Sequence, residues 1–433
     1  ATATTVKALV PVTNVVGNSN TDTFVAGTSA AHIGATIGTW DGGTGSDTLT
    51  AYLKDSGSVA GVEAVETLNI VVGELTGTTS TVTIGANSKG VEDATTTTIT
   101  GGLAGNVTTL DYSVRDVLST SPKTIDASAY LGSVILQYAS NGLLQAGLND
   151  AITLKGSTAG SSDKLTVIMA GESTGEVTVT GFETIEYASA DDSGSANTLD
   201  MKNISGVTTL AITDGGGTAE DLNINNATVG LAVDVGTSGA DFTGHTIDYN
   251  LTTVTGSSDS VTFNLKSMAE IDINTTGIET VNLVATAGGG ANTDTVGIAA
   301  STVTNGTVNV SGADSDDNVT LDAIASGYTT VSATGLTGVL TIAAAARAGT
   351  AMTITGGTGS DSIAMENASD VLDGGTKTGD ADTLVIVGAA VENFARSLMV
   401  VWFSSFVANS GDTSYISIRF CILVACSSAP VKP

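Results

Sequence analysis

The chain has 433 residues and carries 44 acidic against 14 basic side chains, a formal net charge of −30. With no basic patch to displace counterions, a nucleic-acid partner is not expected. Charged residues make up only 13%, so the acidity reflects missing Lys and Arg more than dense Asp and Glu; such a surface suits divalent cations and a salty exterior. The length points to two to four domains or one long solenoid. Aromatics are 4% while Thr, Val, Ala, Gly and Ser dominate, a β-rich composition. A hydrophobic content of 41% argues against disorder. No 18-residue apolar run occurs, so no membrane span is expected. The stretch Ala1-Thr-Ala-Thr-Thr-Val6 has neither the basic nor the apolar region of a signal peptide. The body of the chain holds no Cys, so outside the cell another staple is needed, a role Ca²⁺ can fill.

Residues 1–60 read as an N-terminal β segment. Thr5–Val16 suggests a strand pair around Pro11, and Asn20-Thr-Asp22-Thr-Phe24-Val25 follows. Then comes a glycine-rich turn, Asp41-Gly-Gly-Thr-Gly-Ser-Asp47-Thr-Leu49. A second repeat begins as Gly61-Val-Glu-Ala-Val-Glu66-Thr-Leu-Asn-Ile70. It returns as Gly181-Phe-Glu183-Thr-Ile-Glu-Tyr187 and Gly277-Ile-Glu279-Thr-Val-Asn-Leu283. Each copy leads into alternating residues, a strand by period. These repeats divide the middle into β modules at 61–180, 181–276 and 277–355.

A looser echo places Asp before a strand, at Ser162-Asp163-Lys-Leu165, Ser258-Asp259-Ser-Val261 and Asp316-Asp317-Asn-Val319. Turn aspartates feeding strands explain these better than additional Ca²⁺ sites do. Between Val207 and Leu283 the strands are short and evenly spaced, which fits a β-solenoid or β-sandwich modules. Helix is scarce, and the Ala-rich end of Gly327–Arg347 is interrupted by Thr, Val and Gly.

Residues 356–394 carry the most specific signal. They open Gly-Gly-Thr-Gly-Ser-Asp361-Ser-Ile363, which fits the nine-residue turn G-G-x-G-x-D-x-U-x, where U is a large aliphatic residue. Asp361 and Asp370 are nine apart, as are Ile363 and Leu372; Gly356-Gly357 and Gly374-Gly375 are eighteen apart. In a parallel β-roll, residues eighteen apart stack. Glycine lets the turn point its carbonyls into the gap between coils, and the aspartate adds a carboxylate. Oxygens at about 2.3–2.6 Å are what Ca²⁺ takes. The candidate ligands are Asp41, Gly42, Thr44 and Asp47 in the first turn, and Gly356, Thr358, Gly359 and Asp361 in the second. Asp370, Asp373, Gly374, Thr376, Asp380 and Asp382 belong to the turns that follow. The middle turn, Met365–Asp373, lacks the glycines, and an insertion at Lys377–Ala381 lengthens the next.

Catalytic patterns are weak. Gly171-Glu-Ser173-Thr-Gly175 matches a nucleophile elbow, but the following Gly175–Thr180 reads as a strand and not as the helix the elbow requires. His32 and His245 are the two histidines, which disfavours both a triad and zinc. Asp191-Asp192 and Asp316-Asp317 read as solvated turn acids or Ca²⁺ ligands. No enzymatic activity is expected. From Ala395 the composition changes: residues 395–433 hold both Cys (Cys421, Cys426) and Trp402. Two readings stand, an out-of-frame or spliced-on tail and a hydrophobic docking segment at Leu398–Val407.

The two glycine-rich blocks resemble the hemolysin-type calcium-binding repeats of the RTX family. With the Thr-rich, Cys-free body and the repeated V-E-T-aliphatic strands, the chain resembles bacterial surface-layer proteins that contain such repeats. The resemblance implies an all-β chain in which parallel β-roll turns with Ca²⁺ sites combine with short-strand modules. It implies type I secretion from a Gram-negative cell, folding outside on meeting Ca²⁺, and self-assembly into a lattice on the cell surface, with outer-membrane polysaccharide as a candidate partner. An RTX adhesin is the alternative, and a secreted RTX-bearing enzyme, without H-E-x-x-H here, is the weaker third.

Overall fold

A computed structural model describes residues between 3 and 386, except 4, 10, 74–76, 78, 86–89, 92–93, 113–122, 138–143, 146–151, 161, 171–176, 190–196, 214–220, 237–241, 243, 254–255, 257, 267–269, 287–291, 301, 344–345, 348, 368 and 376–380. The chain is all-β, with parallel strands stacked as a solenoid and no helix among the described residues. One 18-stranded sheet runs its length, from Asn14–Val16 to Val371–Asp373. Two nine-stranded sheets accompany it in succession, the first from Thr5–Ala8 to Ile204–Ser205, the second from Asn197–Asp200 to Thr383–Ile386.

Apart from Gly90–Val91 and Leu144–Gln145, which join the long sheet as the strand before them does, strands up to the handover near Asn197 and again after it alternate between the long sheet and a short one, so each coil contributes to both. The handover falls in one stretch: Thr184–Ser189 joins the long sheet, Asn197–Asp200 the second short sheet, Ile204–Ser205 the first, and Thr209–Ile212 the long sheet again. The long sheet continues past residues 60, 180, 276 and 355, where the sequence repeats suggested module boundaries. Thr5–Ala8 and Asn14–Val16 are both strands, as expected, but they belong to different sheets and do not pair with each other.

Period-two patterning explains the register. Strands Thr48–Leu53, Ser260–Leu265 and Thr280–Ala285 alternate buried and half-buried positions without a break. The inward column Val6, Phe24, Leu49, Leu68 continues through Thr97, Ile125, Leu154, Val179 and Ile204. Its outward neighbour is a column of threonines at 5, 23, 48, 67, 96, 124, 153 and 178. A slip of one residue would exchange the two columns, so burial on one face holds every coil in register. Each fully buried Leu or Ile contributes roughly 1.5–3 kcal/mol over exposure.

Side-chain bonds between coils add to this. Asn264 Nδ2 donates to Asp234 Oδ1 (2.6 Å), Asn274 to Asp248 (2.6 Å), Asn226 to Asp200 (2.8 Å) and Asn309 to Asn282 (2.9 Å). In each pair the donor lies on the later coil.

Near the C-terminal coils, eighteen-residue stacking is observed: Thr353 pairs Val371, Ile354 pairs Leu372 and Thr355 pairs Asp373. Ile363 and Leu372, nine apart, lie on opposite sheets. Between these coils Arg347 Nη1 sits 3.0 Å from Asp370 Oδ1, with both side chains withdrawn from solvent. Asp370 also accepts from the amides of Met352 (3.0 Å), Glu366 (3.1 Å) and Asn367 (3.0 Å). Burial pushes the Asp370 carboxyl up, but the Arg347 bond and the Asn367 and Met352 amides outweigh it and hold it below the usual range. Removing one partner of a buried pair strands the other charge. Arg347→Met is therefore expected to lower unfolding stability by about 3–5 kcal/mol, read as a drop in the urea midpoint; adding Asp370→Asn should recover part of it.

Candidate metal-binding turns

Where one coil passes into the next, the residue that enters a strand carries an amide that must be paired. At Asp47 the pairing uses carboxylates. Asp47 Oδ1 accepts the Asp22 amide of the preceding coil (2.5 Å), and the Asp47 amide donates to Glu66 Oε2 of the following coil (2.5 Å). The same clasp recurs. The Asp163 amide donates to Glu183 Oε2 (2.7 Å), that of Asp259 to Glu279 Oε2 (2.8 Å) and that of Asp361 to Asp382 Oδ1 (3.0 Å). Each main-chain carbonyl of these four aspartates in turn accepts the amide of the Thr that follows the acid, at Thr67, Thr184, Thr280 and Thr383. Charge-assisted bonds of this kind are the strong ones.

The two repeats seen in the sequence are thus halves of one device. Asp-x-aliphatic supplies the amide and Glu-Thr-aliphatic the acceptor. The roles of Glu66, Glu183 and Glu279 were not foreseen, because those residues read as strand repeats. A signal was present in their separation from the aspartates, 19, 20 and 20 residues, with 21 for Asp361 and Asp382.

The predicted ligands differ in how their oxygens are partnered. In the first turn, Asp41 Oδ1 accepts the Gly43 amide (2.9 Å), and the Thr44 amide donates to Asn18 O (3.1 Å). Asp47 is 1% exposed, and its Oδ2 is buried without a hydrogen-bond partner. A Cβ placed on Gly42 would lie 1.9 Å from Ala64 O and 2.7 Å from Asp47 Oδ2. The Ala64 carbonyl and the orphaned carboxylate oxygen therefore both approach Gly42 closely, where no side chain could be accommodated. Two acceptors without a donor between them fit an oxygen-coordinated cation such as Ca²⁺.

The second turn is arranged differently. A Cβ on Gly356 would meet Asp361 Oδ2 at 2.3 Å and Gly374 O at 2.4 Å, so the same cradle exists. Here, however, Asp361 Oδ1 accepts from Leu340 N (2.7 Å) and Oδ2 from Gly357 N (2.7 Å). The Thr358 amide is bound to Leu336 O (2.9 Å), and Gly359 packs against Gly338 O, which would lie 2.2 Å from its Cβ. Asp370 belongs to the Arg347 pair. Asp373 Oδ1 accepts Gly375 N (3.0 Å), and Gly374 lies under Asp382 Oδ2, 2.2 Å from where its Cβ would be. Thr376 and Asp380 lie outside the described residues, as do Ser173, Asp191, Asp192 and the 395–433 tail. Among the described residues no three His, Cys, Asp or Glu side chains group as metal ligands, so backbone carbonyls would have to supply most of any coordination.

The histidines are packed aromatics. His32 lies edge-on to Tyr52 and His245 edge-on to Phe242. Asp317 Oδ2 accepts the Asp314 amide (2.8 Å), the turn role expected, but the side chain is buried and not solvated. No protein-family model, curated protein or solved structure matches the chain.

At the Asp163 clasp, protonation is displaced. Burial pushes its carboxyl up to about 6; the Val134 and Ser157 amides pull it down, and the Glu183 charge pushes it up. Between the ordinary value of 3.8 and 6 the folded chain therefore holds more protons than the unfolded one. Its contribution is fully present below the lower value and is lost as pH rises through the upper one. We expect wild-type stability to decline relative to Asp163→Asn by on the order of 2 kcal/mol across this window. Urea midpoints of both proteins at pH 4 and pH 6.5 measure it.

Proposed function

We propose that this chain is a structural, Ca²⁺-binding component of an extracellular surface lattice, a stiff acidic solenoid that associates with copies of itself. The observation that carries the reading is the orphaned Asp47 Oδ2 converging with Ala64 O over Gly42. A cation there would join two successive coils through a carboxylate of one and a carbonyl of the other. Binding to the folded turn alone adds stability as RT ln(1 + [Ca²⁺]/Kd), which suits a chain that folds only where Ca²⁺ is plentiful. The excess of 44 acids over 14 bases keeps unliganded copies apart by self-repulsion and makes assembly responsive to the same ion. The terminal coils present strand edges, and exposed Val16, Val371 and Leu384 lie on them. Such edges pair with further strands unless they are covered.

Two measurements on the full chain test this. Electron microscopy at millimolar Ca²⁺ should show sheets or filaments that dissolve on chelation. The Ca²⁺-dependent rise in Tm should shrink in Asp47→Asn and persist in Asp361→Asn, whose oxygens already serve backbone amides. Monomers in both conditions, with an undiminished rise in Asp47→Asn, would remove the proposal.

A further inference from the structure

The first glycine-rich turn holds a backbone choice that other turns make differently. Residues 42–47 and 356–361 are the same six, Gly-Gly-Thr-Gly-Ser-Asp, yet they fold in two ways. In the later turn the Gly357 amide donates to Asp361 Oδ2 (2.7 Å). The corresponding donation recurs from Asn18 N to Asp22 Oδ2 (2.8 Å), Ser157 N to Asp163 Oδ2 (2.5 Å) and Asp314 N to Asp317 Oδ2 (2.8 Å). In the first turn the Gly43 amide donates instead to Asp41 Oδ1 (2.9 Å), and Asp47 Oδ2 is left sealed from solvent without a partner.

What differs is the residue in front. Asp41 precedes the first copy and Thr355 the second. An aspartate captures the backbone amide two residues on in an Asx turn, and a Thr hydroxyl does so more weakly. The capture puts the second glycine in the left-handed region: Gly43 has φ +84°, which glycine adopts at no steric cost. Gly357 lies outside that region. A third turn behaves like the first. Asp373 precedes Gly374 and Gly375, its Oδ1 accepts the Gly375 amide (3.0 Å), and Gly375 has φ +95°. In these turns Asp-Gly-Gly diverts the amide from the aspartate that follows, and Thr-Gly-Gly delivers it.

We propose that Asp41 is the positioning residue of this turn: by holding the Gly43 amide it keeps Asp47 Oδ2 open to a cation, and it is not itself a ligand. The inference rests on the reading of the Asp47 turn as a Ca²⁺ site. One six-residue sequence adopts both arrangements, so the turn is a two-state element, and its cation response depends on which state Asp41 selects. A buried carboxylate oxygen needs a partner. Without Asp41 the Gly43 amide is released to supply it, as Gly357 does at Asp361, and the oxygen is then closed to an ion.

Crystal structures of calcium-free Asp41→Ala and Asp41→Asn, with the Ca²⁺-dependent rise in Tm of each full chain, test it. In Asp41→Ala the Gly43 amide should move to Asp47 Oδ2, with Gly43 out of the left-handed region, and the rise should fall to that of Asp47→Asn. Asp41→Asn retains the accepting Oδ1 and should keep both the wild-type turn and the wild-type rise, which a ligand that needs its charge would not. Gly43→Ser is a second route that leaves Asp41 in place. A Cβ at Gly43 would lie 2.4 Å from Asn18 O in the present arrangement, so this variant should adopt the turn of Gly156 and Ser157 and lose the rise as well. Equal loss of the rise in Asp41→Asn and Asp41→Ala would overturn the inference by making Asp41 a ligand. A rise in wild type with Gly43 unmoved in Asp41→Ala would overturn the inference alone, whereas no rise in wild type would remove the Ca²⁺ reading and the role given to Asp41 in it.

Discussion

A backbone amide buried where one coil turns into the next has no strand partner waiting for it. In this protein it is met by a carboxylate from the following coil, and the stacking depends on that bond. Leaving such a donor unpaired costs about 1–3 kcal/mol, and the same need arises at Asp47, Asp163, Asp259 and Asp361. Each clasp fixes the distance between neighbouring coils at the turn. The inward columns of Leu, Ile and Val then fix the register along the strand. Hydrophobic burial drives the stack together, while the clasps determine which residue lies over which.

The clasps also give the acidity of the chain a structural meaning. Many of its acids are tied to amides, as Glu66 and Glu183 are, or to Asn side chains, as Asp234 and Asp248 are. A carboxylate that accepts backbone donors needs no counter-cation nearby. Among the described residues, buried carboxylate oxygens without a hydrogen-bond partner remain at Asp47, Asp259, Asp322 and Glu366.

Much of the architecture was legible in the residues. Alternation in Thr48–Leu53 or Thr280–Ala285 marks a strand with one buried face, and the eighteen-residue offset of Gly356 and Gly374 marks coils that stack. Where the turns lengthen, the offset is lost: Thr67 pairs Thr96 and Thr124 pairs Thr153. Period alone therefore did not separate a solenoid from sandwich modules in the middle of the chain. The handover between short sheets near Asn197 has no composition signal, since its strands are as Thr- and Asn-rich as their neighbours. The glycine blocks mark turns where an aspartate packs against glycine, but not how its oxygens are partnered. Asp47 and Asp361 occupy the same position in the same motif, yet only Asp361 has amides on both oxygens. That difference comes from Leu340 and Gly357, and the motif itself, identical in the two turns, does not record it.

The most direct test of this account is amide hydrogen exchange at Asp163 and Asp259, in wild type and in Glu183→Ala and Glu279→Ala. The clasp predicts that both amides are protected in wild type as strongly as those of the core strands, although each precedes its strand. It also predicts that each loses its protection only in the variant that removes its own glutamate. Rapid exchange of these amides in wild type, or protection unaffected by removal of the glutamates, would contradict the account.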